Sequence, residues 1–196
     1  MQIPSLPVSD SPASVQFDFA TGLFTPFVDV VERRVNDLQE MFHDQAAVGE
    51  LLAGDNPVVY EIRYHPFLTT TSDMGLGVTR IYPGQIGIEY YMTKGHFHER
   101  TDQPEIYFCV RGEGFLLLET RAGDFEAVPW KAGTITHIPP LWAHRVVNTG
   151  TDLLVFVASY HLAAGHDYAP ILARGFAQIV VEQEGVPQLV PNPRRR

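Results

Sequence analysis

The apolar and polar positions change their rhythm near Pro57. Before it, Val31, Val35, Leu38 and Phe42 recur at steps of four, three and four, which predicts an apolar helical face within part of Phe27–Phe42. "DQAAVGELLAG" opens on Asp44 and closes on Gly54, as a short helix would. Residues 1 to about 26 are rich in Pro, Ser and Gly and read as an extended arm. After Pro57 come short β-branched and aromatic runs: "VVYEIRYH", "GVTRIYP", "IGIEYYMT", "EIYFCVRGEGFLLLET", "TITHIP", "HRVVNTG" and "LLVFVASYH". Turn signals such as "YPGQ", "RGEG", "RAGD" and "KAGT" separate them. Many short strands at this spacing predict an all-β sandwich or barrel. The stretch Ala163 to Gly175 is helix-compatible, and "FAQIVVE" and "PQLVP" predict a last strand or two. The expected division is 1–56, an arm and helical segment packed on the barrel, and 57–196, the barrel with a C-terminal extension. Together they form one structural domain.

Composition narrows the function. The 196 residues carry a net charge of -9, which argues against a nucleic-acid footprint; the closing Arg194, Arg195 and Arg196 read as a solvated basic tail. Cys109 is the single cysteine, so no intrachain disulfide forms, and its apolar run "IYFCV" marks it as packing. No apolar stretch reaches the roughly 20 residues of a membrane span, and the N-terminus lacks the pattern of a signal peptide. The expectation is a cytoplasmic protein with no membrane partner.

Candidate chemistry sits in "TKGHFHERTDQPEIYFCVRGEG". His96 and His98 lie two apart, so on a strand both imidazoles face one side. Taken alone, such a pair fits half-buried surface histidines as well as a metal grip. Glu105 follows a polar turn and opens an apolar strand, which can bring its carboxylate back beside the histidines. A second cluster, "GTITHIPPLWAHRVVN", offers His144 after the stiff corner Pro139–Pro140. Three histidines and a carboxylate would leave about two open positions on an octahedral first-row metal. The joint pattern is H-x-H-x(6)-E-x(6)-G from His96 to Gly112, then G-x(5)-P-x(4)-H-x(3)-N from Gly133 to Asn148. It resembles the two cupin motifs and implies a double-stranded β-helix, or jelly roll. Leu141 stands where the second motif usually has glycine, and the gap from His98 to Glu105 is longer than usual.

That long gap narrows the resemblance. "DNPVVYE", "YPGQIGIEYYMTKGHFH", "EIY", "PPLWAHRVVN", "AGHDYAPI", "RRVNDL", "RGFAQIV" and "NPR" are similar to the cupin-type, or archaeal-type, glucose-6-phosphate isomerases. The likeness runs from about Phe17 to Arg194. It implies interconversion of glucose 6-phosphate and fructose 6-phosphate, and a homodimer. It assigns His96, His98, Glu105 and His144 to one divalent metal per subunit: iron, manganese, zinc, nickel or cobalt. Glu105 is also the candidate base, and His166 in "AGHDY" a candidate for ring opening or proton transfer. Thr79, Thr93 and Gly95 match positions of the sugar-phosphate pocket, as do Tyr60, Tyr107 and Tyr160, with Tyr168 on the same wall. Gly95 is expected to let backbone approach a ligand closely. Lys94, on an alternating strand, is expected to face away from Thr93 and Gly95. His43, His65, His137 and His161 read as structural. A cupin dioxygenase and a non-catalytic sugar-binding cupin are the competing readings.

Overall fold

The computed structural model describes residues 7–195; the first six positions of the arm and Arg196 of the basic tail lie outside the described residues. The arm carries a hairpin, β1 (Gln16–Asp18) and β2 (Leu23–Thr25), whose Phe24 packs with Val78 and Val155. Then come β3 (Asp29–Arg34), one turn of α1 (Val35–Leu38) and α2 (Gln45–Ala53). Asp44 caps α2 as its position predicts, accepting from the amides of Ala46 and Ala47.

The barrel strands are β4 (Val58–Phe67), β5 (Met74–Ile81), β6 (Gln85–Ile86), β7 (Glu89–Tyr90), β8 (Glu105–Arg111) and β9 (Glu113–Thr120). They continue as β10 (Phe125–Lys131), β11 (Ile135–Ile138), β12 (Trp142–Asn148) and β13 (Leu154–His161). Helix α3 (Ala169–Arg174), β14 (Gln178–Gln183) and β15 (Val186–Pro191) follow. One large sheet runs in the order β11-β8-β13-β5-β4-β3. The smaller β10-β9-β12 and β15-β14-β7-β6 sheets share its core cluster, in which Trp130 of β10 meets Tyr107 of β8 and Phe156 of β13. Every strand pairing among the described residues is antiparallel, as the predicted all-β sandwich or barrel requires. Cys109 is buried in this core, and burial pushes its thiol up to about 11.

Three readings of the sequence are revised. Val31 lies on β3, not on a helix; β-branched Val30 and Val31 favour a pleated surface, and pairing with β4 outweighs the local helical period. Val35 and Leu38 are the buried face of α1; Phe42 is buried too, but it lies past the helical turns in extended backbone. Strand β10 carries no strong signal because Pro129 interrupts it; it lies at a sheet edge, where a missing amide is tolerated. Arg194 and Arg195 are not free in solvent. Arg194 donates to the carbonyls of Glu40 and Leu172, both at 2.6 Å. Arg195 bonds the fully buried Glu119 carboxylate and the Gly175 carbonyl, and Arg174 lies 3.4 Å from the same carboxylate. Removing the guanidinium strips the buried Glu119 of its closer charged partner. Arg195→Met is expected to lower stability by about 2 kcal/mol in urea unfolding, and an unchanged midpoint would contradict this clasp. Leu141, where the motif has glycine, adopts φ +75° and exposes 62% of its surface. Leu141→Gly relieves that backbone cost and is expected to gain about 0.5–1 kcal/mol, read in the same unfolding assay.

Candidate active site

The site is built on the inner face of the large sheet. Along β8, Glu105, Tyr107 and Cys109 are buried while Ile106 is half exposed, the alternation a strand imposes. Neighbouring β13 sets Tyr160 opposite Glu105 and Ala158 opposite Tyr107, so these side chains share that face. Strands β4 and β5 add Tyr60, Ile62, Tyr64, Gly77 and Thr79. The Tyr160 ring can lie there because Gly75 has no Cβ, which would come within 2.5 Å of it.

The opposite wall is a broken strand, residues 91–96, laid antiparallel against β12. The Asn148 amide donates to the Tyr91 carbonyl at 2.9 Å, Thr93 N donates to Val146 O at 2.9 Å, and His96 and His144 exchange backbone hydrogen bonds at 3.2 and 3.3 Å. Asn148 fixes that end, donating to the carbonyls of Ile81 and Asp152 at 2.9 Å. His96 and His98 therefore sit on a single bridged turn of chain, not on a continuous strand, yet their rings converge with that of His144. One ligand nitrogen from each of the three histidines lies within 4.8 Å of the others. Glu105 Oε2 lies 3.1 Å from His144 Nε2 and 3.6 Å from His98 Nε2.

Four atoms here, Nε2 of His96, His98 and His144 and Oε2 of Glu105, are buried with no well-aligned hydrogen-bond partner, even though the Glu105 oxygen lies close to two of the nitrogens. Orphaned acceptors are costly inside a protein. The three histidine nitrogens lie close enough together for one cation, Glu105 stands beside two of them, and the mixture of imidazole and carboxylate suits a first-row metal. The orientation is prepared: His98 Nδ1 lies 2.8 Å from the Gln103 carbonyl, which holds the proton on Nδ1 and leaves Nε2 free to ligate. The three histidines form a group that could hold a metal ion.

Thr93, Gly95, His96, Glu105, Tyr107, His144, Tyr160, His166 and Tyr168 line the same cavity as Tyr60 and Thr79. His98 stands directly behind, against Glu105. The His166 ring centroid is 4.4 Å from that of His96 and stacks parallel to Tyr168 at 5.7 Å. Its loop is tied down by the Phe97–Asp167 bridge and by the Arg121–Asp167 ion pair at 2.6 Å. His43, His65, His137 and His161 lie off the cavity; His161 Nδ1 accepts from Ala163 N. A larger open groove of about 1010 Å³ runs past Gln85, Glu113 and Lys131 and contains none of the converging groups.

A family model described as "Glucose-6-phosphate isomerase (GPI)" matches residues 32–192. The chain belongs to the glucose-6-phosphate isomerase family. The glucose-6-phosphate isomerase of Thermococcus kodakarensis is 42% identical over 93% of this chain and 96% of that protein. The putative glucose-6-phosphate isomerase 1 of Rhizobium meliloti is 36% identical over 94% and 88%. Among solved structures, oxalate decarboxylase from Bacillus subtilis shares 18% identity and a TM-score of 0.44; the alignment covers 56% of this chain and 26% of that one.

In this member of the glucose-6-phosphate isomerase family, one wall residue differs from the sequence reading. Lys94 does not turn away. Residues 93–95 leave the extended pattern because Gly95 takes φ +70°, and Lys94 lines the cavity with its Nζ 4.6 Å from the Tyr168 ring centroid. Glycine at 95 has a packing reason besides close ligand approach. A Cβ there would meet Phe176 at 2.9 Å, Arg145 Cβ at 3.0 Å and the His144 carbonyl at 3.1 Å, all behind the wall. Tyr64, Ile62, Gly77, Phe156 and Ala158 also line the cavity and carried no motif. Alternation along β4 from Tyr60 was the one signal that could have found Ile62 and Tyr64.

The electrostatics divide the groups by role. Burial acts to raise the Glu105 carboxyl, but His144 and His98 beside it outweigh that and hold it far below the usual carboxylate range. Burial pushes the His96 imidazole down, and the neighbouring histidines add to this. For His98 burial pulls downward, while the contact with Glu105 prevails and raises it. Burial also lowers His166. The tyrosines are raised by burial, Tyr60 to about 12, so they remain protonated donors at neutral pH. A metal competes with the proton for imidazole nitrogen, and the raised His98 is where that competition is felt as pH falls. Divalent-metal affinity, measured by competition with a colorimetric chelator, is expected to fall as pH drops from about 7.5 to about 5.5. An affinity flat across that range would argue against imidazole ligation.

Proposed function

We propose that this chain interconverts glucose 6-phosphate and fructose 6-phosphate, with one divalent metal (iron, manganese, cobalt, nickel or zinc) held by His96, His98, Glu105 and His144. One observation carries this reading: three histidine nitrogens gather, with Glu105 beside two of them, at one side of a cavity whose remaining polar wall is hydroxyls, one imidazole and one ammonium. That wall suits a polyhydroxyl chain with an anionic end. When bound, such a metal polarises the carbonyl and hydroxyl oxygens at C1 and C2.

From glucose 6-phosphate to fructose 6-phosphate, one hydrogen leaves C2, one arrives at C1, and the O2 hydrogen moves to O1. The chain must hold the phosphoryl end still and place C1 and C2 beside the histidine cluster. Thr93 is well placed for the first task. Its Oγ1 accepts from Val146 N at 3.0 Å, so its own O–H is free to donate into the cavity. Lys94 supplies the positive charge on that wall. Tyr60, Tyr107, Tyr160 and Tyr168, kept protonated, donate to sugar oxygens, and Thr79 adds a hydroxyl from β5.

His166, kept neutral by burial, has a nitrogen able to take a proton during ring opening or between O1 and O2. Glu105 is the candidate base at carbon. Its lowered proton affinity makes it a weak one, and that supports the ligand role more strongly. The protein is further proposed to act as a cytoplasmic homodimer. Among the described residues no helix is long and apolar enough to cross a membrane. The pairing is supported by Ile106 and Ile135, which expose 50% and 66% of their surface on the adjacent strands β8 and β11.

The test is turnover of fructose 6-phosphate, coupled to glucose 6-phosphate detection, run without oxygen before and after a chelator. Turnover that is lost with the chelator and restored by a divalent ion is expected. No product with metal present sinks the isomerase reading, and oxygen-dependent consumption of substrate points to the dioxygenase. Full activity after complete metal removal removes only the metal. Glu105→Gln is expected to lower kcat at least about 100-fold; retained turnover with metal still bound would show that Glu105 is no base.

A further inference from the structure

Arg145 is among the largest fully buried side chains, 2% exposed, and its burial is expensive. Among the described residues no carboxylate forms an ion pair with it: Glu89 and Glu119 act on it only through space, and Glu119 is already held by Arg174 and Arg195. Its Nη2 donates to the Lys94 carbonyl at 2.8 Å and lies 3.1 Å from Met41 Sδ, its guanidinium lies over the Phe176 ring at 4.8 Å, and its Nε has no partner. An apolar side chain of similar volume would fill this space at lower cost. What the guanidinium does that an apolar group cannot is hold the Lys94 carbonyl inward, on the side of the chain away from the cavity.

We propose that Arg145 is a positioning residue for the phosphoryl end of the substrate. It clamps the turn Thr93–Lys94–Gly95 from behind and places a fixed positive charge at its back. Three contacts from consecutive residues of β12 fasten this turn: the His144 carbonyl accepts from His96 N, the Arg145 guanidinium donates to Lys94 O, and Val146 N donates to Thr93 Oγ1. The turn delivers the Thr93 hydroxyl and the Lys94 side chain to the cavity, and Gly95 is the residue that can take its φ of +70° against the Arg145 Cβ. In a chain of net charge -9, a buried cation behind this turn also offsets the field that an incoming phosphate meets. The inference rests on the isomerase reading and adds to it a residue that never touches substrate.

Arg145→Met keeps the bulk over Phe176 and removes the charge and the donor; Arg145→Lys keeps the charge and one donor. The measurements are kcat and KM with fructose 6-phosphate, inhibition by inorganic phosphate, calorimetric binding of fructose 6-phosphate, and metal content. Arg145→Met is expected to raise KM and weaken phosphate inhibition together by about 10- to 100-fold, with kcat within about threefold and metal content unchanged. Arg145→Lys is expected to recover part of the loss. Wild-type KM and phosphate inhibition in a folded Arg145→Met overturn the proposal. So does a loss of metal and kcat at constant KM, which would mark a structural role through His144. If Arg145→Met does not fold, Arg145→Lys decides: a KM raised severalfold at constant metal content supports the clamp, and an unchanged KM overturns it. If the wild type binds fructose 6-phosphate without turning it over, the isomerase reading fails alone and binding by the variants still decides the clamp. A wild type that does neither overturns both.

Discussion

Four buried acceptors without well-aligned partners are the constraint on which the rest of this structure turns. His96, His98 and His144 gather their ring nitrogens, Glu105 stands beside two of them, and the backbone around them is arranged to keep them there. The His96–His144 bridge joins the two motif segments directly, so the ligand sets from distant parts of the chain are held by paired hydrogen bonds. Glu105 arrives from a third direction, on β8, with Tyr160 beside it on β13. The barrel gives this cluster a rigid frame, and rigidity is what a ligand set of this kind requires.

Much of this was legible in the chain because strands announce themselves by local period. Most runs after Pro57 became β4, β5, β8, β9, β11, β12 and β13, while "IGIEYYMT" broke into β6, β7 and an isolated bridge at Met92, and the cap signals around α2 read correctly. The failures share a cause. β3 wins over a helical period through pairing with β4, and β10 hides behind Pro129; both depend on a neighbouring strand that no local window contains. The Arg195–Glu119 clasp joins positions 76 residues apart and leaves no local trace.

The site divides in the same way. The histidines and Glu105 stand out because metal ligation demands particular residue types at particular spacings. Lys94 was misjudged because alternation was extended across a glycine with positive φ, where the strand rule ceases to apply. Arg145 stands next to a motif histidine, yet its neighbours Lys94, Met41 and Phe176 come from three separate segments. Charge shows a similar layering. The chain is acidic overall, while the wall proposed to meet the phosphate has an ammonium in front and a guanidinium behind.

Strand β12 has an evolutionary consequence. Six of its seven residues are buried, and successive positions serve opposite sides: His144 the cavity, Arg145 the packing behind the turn. Deleting or inserting a single residue between Pro140 and His144 would exchange those sides along the strand, presenting a guanidinium to the ligand cluster and an imidazole to Phe176. Lineages should therefore vary this segment by substitution and almost never by length. Length variation belongs to the turns at Gly123 and Gly185, where even an added side-chain carbon would meet nothing within 4 Å.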